Sequence, residues 1–144
     1  MTNSPTEYLR LKVIAGYNLI DSDIVTLSDP YVEIHVPYLK PRKTKIKRNN
    51  LNPRWNEEFI IKVSPQEHKL ILNVFDRDHA TSDDFLGMVK LPLTNILRER
   101  FSDGSVNSNC FCFGFENLVQ LRNPEMDPVN KFRFAFNFTP FLVF

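Results

Sequence analysis

Seven of the nine aspartates fall in two nine-residue windows, 21–29 (Asp21, Asp23, Asp29) and 76–84 (Asp76, Asp78, Asp83, Asp84), which together make up one eighth of the chain. Asp76 and Asp78 are two apart, so in an extended segment both carboxylates turn to the same side with a gap that a cation can fill. Asp84 returns from the far end of the same window. Like charges ~4 Å apart repel by about 4 kcal/mol at an effective dielectric of 20, so such crowding calls for a neutralising cation. Calcium suits the donors, because it takes six to eight oxygens in flexible geometry. No Cys/His cluster points to zinc, and Cys110 and Cys112 lack the spacing for it. Ordinary turn chemistry explains one or two aspartates per loop, and Asp21 and Asp83 are assigned to it.

A second concentration of charge has the opposite sign. Lys40 to Arg48 holds six cations in nine residues. Lys43, Lys45 and Lys47 alternate with Thr44 and Ile46, so on a strand they line one face. Two readings stand: a solvated face that discourages edge pairing, or a polybasic site for phosphoinositide or phosphatidylserine headgroups, worth ~1 kcal/mol per cation near an anionic leaflet. No aromatic lies within the run to stack on bases, so nucleic acid is not expected. Between Asp23 and Asp29 lie Ile24, Val25, Thr26 and Leu27, an apolar patch where solvent normally demands polar residues. Ile24 and Val25 fit insertion at a headgroup boundary, each contributing ~1.5 kcal/mol if fully desolvated. Leu27 fits either insertion or tucking into the protein.

These residues need a scaffold, and period-two alternation supplies it. Leu9, Leu11 and Val13 alternate with Arg10 and Lys12; Val32, Ile34 and Val36 alternate with Tyr31, Glu33 and His35; Trp55, Phe59, Ile61 and Val63 share a parity. Leu70–Phe75, Phe85–Leu91 and Phe132–Phe138 are further strands. Asp29-Pro30, Lys40-Pro41, Asn52-Pro53, Ser64-Pro65 and Asn123-Pro124 mark turns between them. Leu93–Arg100 is the one helical candidate. Short strands at this spacing predict an all-β antiparallel sandwich, with both aspartate windows in loops at one end. Trp55 belongs to the core by parity.

The rest of the composition narrows the function. At 144 residues the chain has the size of one domain, and 42% apolar content is enough for one core. The net charge of +1 sums 18 Lys and Arg against 17 Asp and Glu and conceals the two clusters. The four glycines are too scattered for a phosphate-cradling loop. No signal peptide or spanning segment is read, since Phe132–Phe144 is broken by Arg133, Asn137 and Pro140. A cytoplasmic protein recruited peripherally to membranes is expected. No nucleophile or general base stands beside the aspartates, so an enzyme is not expected.

The segments NLIDSDIVTLSDPYVEI, LNPRWNEEF and VFDRDHATSDDFLG resemble the C2 domain, in the order that family uses. The resemblance implies Asp23, Asp29, Asp76, Asp78 and Asp84 as Ca2+ ligands, with Thr81 as an auxiliary oxygen. LNPRWNEEF and SDDFLGMVKLPL are most similar to the N-terminal C2 domain of HECT-type ubiquitin ligases that carry WW domains. Starting on the strand before the first calcium loop and ending on the Phe132–Phe138 strand resembles the permuted (type II) C2 topology, with eight strands in two four-stranded sheets and the last strand in the slot of the missing first. The domain is expected over 8–139, between tails 1–7 and 140–144. Without WW or HECT sequence, the chain is expected to be a non-catalytic fragment, excised domain or short isoform. The function implied is calcium-dependent binding to an anionic phospholipid membrane. The alternative is a protein-interaction module that docks on a HECT domain or adaptor and holds an enzyme inactive.

Overall fold

The computed structural model describes residues 6–19, 27–63, 69–92, 119–120 and 133–143. Eight strands occur among them: β1 (Thr6–Tyr17), β2 (Pro30–His35), β3 (Arg42–Lys43), β4 (Arg54–Val63), β5 (Lys69–Asp76), β6 (Asp84–Pro92), β7 (Val119–Gln120) and β8 (Arg133–Val143). They form two four-stranded antiparallel sheets, ordered β4-β1-β8-β7 and β3-β2-β5-β6. The expected all-β sandwich is thus the fold, with eight strands among the described residues. The last strand lies beside the first, and their ladder runs from Thr6↔Val143 to Tyr17↔Arg133, the arrangement expected of the permuted topology. The helical candidate Leu93–Arg100, Cys110 and Cys112 lie outside the described residues.

Alternation becomes packing as one would expect of half-buried strands. Leu9, Leu11 and Val13 of β1 and Trp55, Phe59, Ile61 and Val63 of β4 face Val32, Ile34, Leu70, Leu72, Val74, Leu86, Val89 and Leu91 of the other sheet in one buried cluster. Burying each such side chain stabilises the fold by roughly 1.5–3 kcal/mol. Trp55 sits in this cluster as its parity predicts.

Two irregularities set the geometry of one end. A register shift between Val13 and Ala15 bends β1 against both neighbours. β1 then passes Gly16, whose N–H donates to Pro53 C=O (2.9 Å), and Leu19, whose N–H donates to Leu51 C=O (2.9 Å). A Cβ at Gly16 would stand 3.2 Å from Leu19 Cδ2, so the glycine permits this close approach. A second shift lies beside Val74 and Phe75, where β6 carries one residue more than β5. It brings Asp76 opposite Asp84 at the sheet end.

The basic run departs from expectation. Only Arg42–Lys43 is strand. Thr44 N–H donates to Val32 C=O (2.9 Å) and Lys47 N–H to Pro30 C=O (3.0 Å), so three steps along this segment match two along β2. The extra residue ends the alternation, and Lys47 does not continue the face of Lys43. Buried Thr44 holds the segment in place, its Oγ1 accepting the Val32 N–H at 2.9 Å. Among the described residues, four outside glycine adopt left-handed backbone: Asn18, Asn49, Asn56 and Tyr38. Asparagine tolerates this region, whereas for Tyr38 (φ 64°) it costs roughly 1–2 kcal/mol.

Candidate functional site

The aspartates converge where β2 begins and β5 ends. Asp76 continues the inward parity of Leu70, Leu72 and Val74 and is buried at 3% exposure. Its Oδ1 accepts the Asp29 backbone N–H at 2.6 Å. Arg77 N–H donates to the Asp29 carbonyl (3.1 Å), which ties the start of the β5–β6 loop to the start of β2. The Asp29 carboxylate is in turn oriented by the segment after β3, since Asn49 N–H donates to its Oδ1 at 2.8 Å. Asn50 N–H reaches the Ser28 carbonyl (2.9 Å). Three chain segments therefore fix one pair of carboxylates, Asp29 and Asp76.

The other aspartates have separate partners. β5 stops at Asp76, so the strand alternation expected to align Asp76 with Asp78 does not reach Asp78. Thr81, expected as an auxiliary oxygen, donates its hydroxyl to Asp78 Oδ2, and Ala80 N–H donates to Oδ1 at 2.9 Å. These bonds, the Thr81 hydroxyl foremost, hold the Asp78 carboxyl below the usual carboxylate range. Asp83 staples the loop: Tyr31 Oη donates to its Oδ2 at 2.5 Å and Asp78 N–H to its Oδ1 at 3.1 Å. Burial, and then this bond to Asp83, push the Tyr31 hydroxyl above its ordinary pKa. Asp84 is exposed opposite Asp76.

Asp23, Ile24 and Val25 lie outside the described residues, and Leu27, two residues before Asp29, is 43% exposed. Among the described residues no three His, Cys, Asp or Glu side chains are gathered closely enough to hold a metal ion. Asp29 and Asp76, joined through the Asp29 backbone N–H, both carry carboxylate oxygens, the donor type that suits a hard cation such as calcium and not zinc. Basic groups that the sequence did not single out stand among these aspartates. His79 Nε2 stands 3.9 Å from Asp29 Oδ2, and Arg77 Nε 3.8 Å from Asp83 Oδ1. Their place between and beside aspartates in the chain was the available signal.

The three lysines have different surroundings. Lys43 Nζ is 3.0 Å from Glu33 Oε2 and 5.0 Å from the centre of the Tyr31 ring. Tyr31 stacks on Phe75 (5.7 Å), which meets Phe85 edge-on (5.7 Å). Lys45 is exposed, with its backbone N–H on Glu57 Oε1 at 2.8 Å, and Lys47 is half-buried. Glu33 thus neutralises Lys43 and also binds His35.

Burial acts to raise the Glu33 pKa, but its bonds to His35 and Lys43 outweigh that and hold it below 4.5. A carboxylate whose pKa falls on folding contributes stability above its unfolded pKa and loses it as pH falls through the folded value. Glu33→Gln is therefore expected to lower Tm at neutral pH. The gap from wild type should close progressively below about pH 4.5 in a series of thermal melts; a gap independent of pH would show that Glu33 acts through packing alone.

The C2 domain family profile matches residues 7–111. The E3 ubiquitin-protein ligase Nedd-4 of Drosophila melanogaster is 46% identical over 99 residues, covering 65% of this chain and 10% of that protein. NEDD4 of Rattus norvegicus is 44% identical over 96 residues, covering 63% of this chain and 11% of that protein. The aligned region thus spans about a tenth of the length of these relatives. Among solved structures, the calcium-bound tandem C2 domains of Extended-Synaptotagmin 2 superpose with a TM-score of 0.70 at 26% identity, covering 94% of this chain and 46% of that one. No helix among the described residues is long and apolar enough to cross a membrane.

Proposed function

Because the chain belongs to the C2 domain family, we propose that it is a calcium-dependent module for anionic phospholipid surfaces, cytoplasmic and recruited peripherally to membranes. The observation that carries this reading is the carboxylate pair at one end of the sandwich, with Asp76 buried against the Asp29 backbone (2.6 Å) and Asp29 oriented by Asn49. A solved neighbour of the same fold is calcium-bound. Asp29 and Asp76 would hold the ion, with Asp23, Asp78 and Asp84 completing its oxygen shell. Bound calcium would cancel the negative charge of this end and offer positions to lipid phosphate.

The chain's own residues do the remaining work. Before charge cancellation, Asp29, Asp76, Asp78 and Asp84 repel an anionic leaflet. Leu27, with Ile24 and Val25, supplies the apolar contact at the headgroup boundary. Lys45 and Lys47 supply phosphate contacts for phosphatidylserine or phosphoinositide. Lys43 contributes less than its charge suggests, because Glu33 faces it at 3.0 Å.

Calcium titration of vesicle cosedimentation, with phosphatidylcholine alone, with phosphatidylserine and with phosphoinositide, tests this reading. Binding should rise with calcium only on the anionic vesicles, and equal binding with calcium and with EGTA would overturn it. The relatives are ubiquitin ligases by name, which favours one second reading, a protein-interaction module docking on a HECT domain or adaptor. Under that reading an isolated HECT domain would be bound while calcium changes no lipid binding.

A further inference from the structure

The end of the sandwich away from the aspartates carries an unexplained feature. The β2–β3 turn is closed by the Leu39 N–H on the Val36 carbonyl (3.1 Å). It presents a fully exposed Tyr38 and a Leu39 that is 46% exposed. Pro37 and Pro41 bracket the two and offer no N–H for strand pairing. Tyr38 holds left-handed backbone (φ 64°) that asparagine or glycine would adopt more readily, and its ring takes no part in the core. A residue that violates both local preferences with no structural gain points to a role outside the fold.

The exposed charged side chains described nearest this tip are cationic, and the exposed acid further back on β4, Glu58, is paired with Arg10 (3.2 Å). Lys40 and Arg42 follow in the turn, and Arg42 reaches across to β4, its Nη1 donating to the Ile60 carbonyl at 2.7 Å. That contact places the end of β4, with exposed Lys62, beside the turn. β5 begins here as well, because His35 pairs with Ile71 and exposed Lys69 lies two residues further toward the turn. An exposed tyrosine and leucine on a turn with Lys40, Arg42, Lys62 and Lys69 at the same end of the sandwich match the chemistry of an anionic lipid surface. The ring sits among headgroups, the leucine reaches the acyl boundary, and the lysine stems lie along the surface with their ammonium groups on phosphate.

We propose that this turn is a second membrane contact, calcium-independent and selective for anionic lipid, at the opposite pole from the aspartates. The six residues of β2 separate the two poles by about 20 Å, so one flat bilayer cannot engage both. In calcium a single molecule would then join two anionic surfaces; that consequence rests on the proposed calcium reading, while the contact itself does not.

Cosedimentation in EGTA with vesicles of equimolar phosphatidylcholine and phosphatidylserine isolates the turn. Wild type should bind weakly, and a Tyr38→Asn/Leu39→Ser variant should lose about tenfold or more of that affinity while melting no lower than wild type. Wild type that binds equally with calcium and in EGTA would count against the other pole and not this one. A Tyr38→Trp variant reads immersion directly, through a blue shift of indole emission on adding the same vesicles in EGTA. Absence of calcium-free binding by wild type, unchanged binding by Tyr38→Asn/Leu39→Ser, or an unshifted Tyr38→Trp spectrum, as a turn that docks only on proteins would give, overturns the proposal.

Discussion

Replacing Asp76 and Asp78 together by asparagine is expected to abolish the calcium-dependent gain in vesicle binding while leaving the fold intact. Each introduced asparagine would retain a carbonyl oxygen, so the acceptors for the Asp29 N–H (2.6 Å) and the Ala80 N–H (2.9 Å) survive. What disappears is two negative charges from a crowded site. Ligand charge count tunes calcium affinity over orders of magnitude, so affinity should fall at least about a hundredfold in isothermal titration calorimetry. A ligand at a hundred times its Kd stabilises the folded state by about 2.7 kcal/mol, and the corresponding calcium-induced rise in Tm should vanish. In EGTA the variant should melt close to wild type, because relief of repulsion between Asp76 and Asp84 offsets the loss of the bonds that favour ionised Asp78. Retention of full calcium-dependent binding by the double variant would sink the proposed site.

Leu72→Ala should produce the largest loss of stability. Leu72 is fully buried at the middle of β5, paired with Ile34 of β2 and Val89 of β6 and facing the other sheet within the core cluster. Truncation there removes transfer energy and leaves a cavity between two hydrogen-bonded sheets that cannot easily collapse. About 3 kcal/mol should be lost in urea denaturation, from a range of 2–5 for such changes. For a domain of this size that lowers Tm by roughly 6–12 °C. Calcium affinity of the folded fraction should be unchanged, since Asp76 is four residues further along the strand and anchored by the Asp29 backbone. A loss below about 1 kcal/mol would mean that the two sheets do not pack tightly at Leu72.

Much of the scaffold was legible because a half-buried strand writes its geometry locally. Leu9, Leu11 and Val13, or Val32, Ile34 and Val36, declare their buried face through a period of two, and the core cluster contains them. β7 was not legible, since Val119–Gln120 is too short to show a period. The basic run misled for a related reason: Lys43, Lys45 and Lys47 keep their alternation in the chain, but one extra residue against β2 breaks it in space. No local pattern marks a bulge that depends on where Thr44 and Lys47 find backbone acceptors.

The sequence by itself determined the kind of fold, the parity of its core and the two loops that carry acidic charge, because each is expressed by neighbours a few residues apart. Which of those aspartates meet was decided only in three dimensions. Asp29 meets Asp76 across 47 residues, and Asp83 is held by Tyr31 across 52. Thr81 turns onto Asp78, Glu33 neutralises Lys43, and Tyr38 stands in solvent at the far pole. Partner choice of this kind follows from register and loop course, and these emerge only when both sheets have closed over a common core.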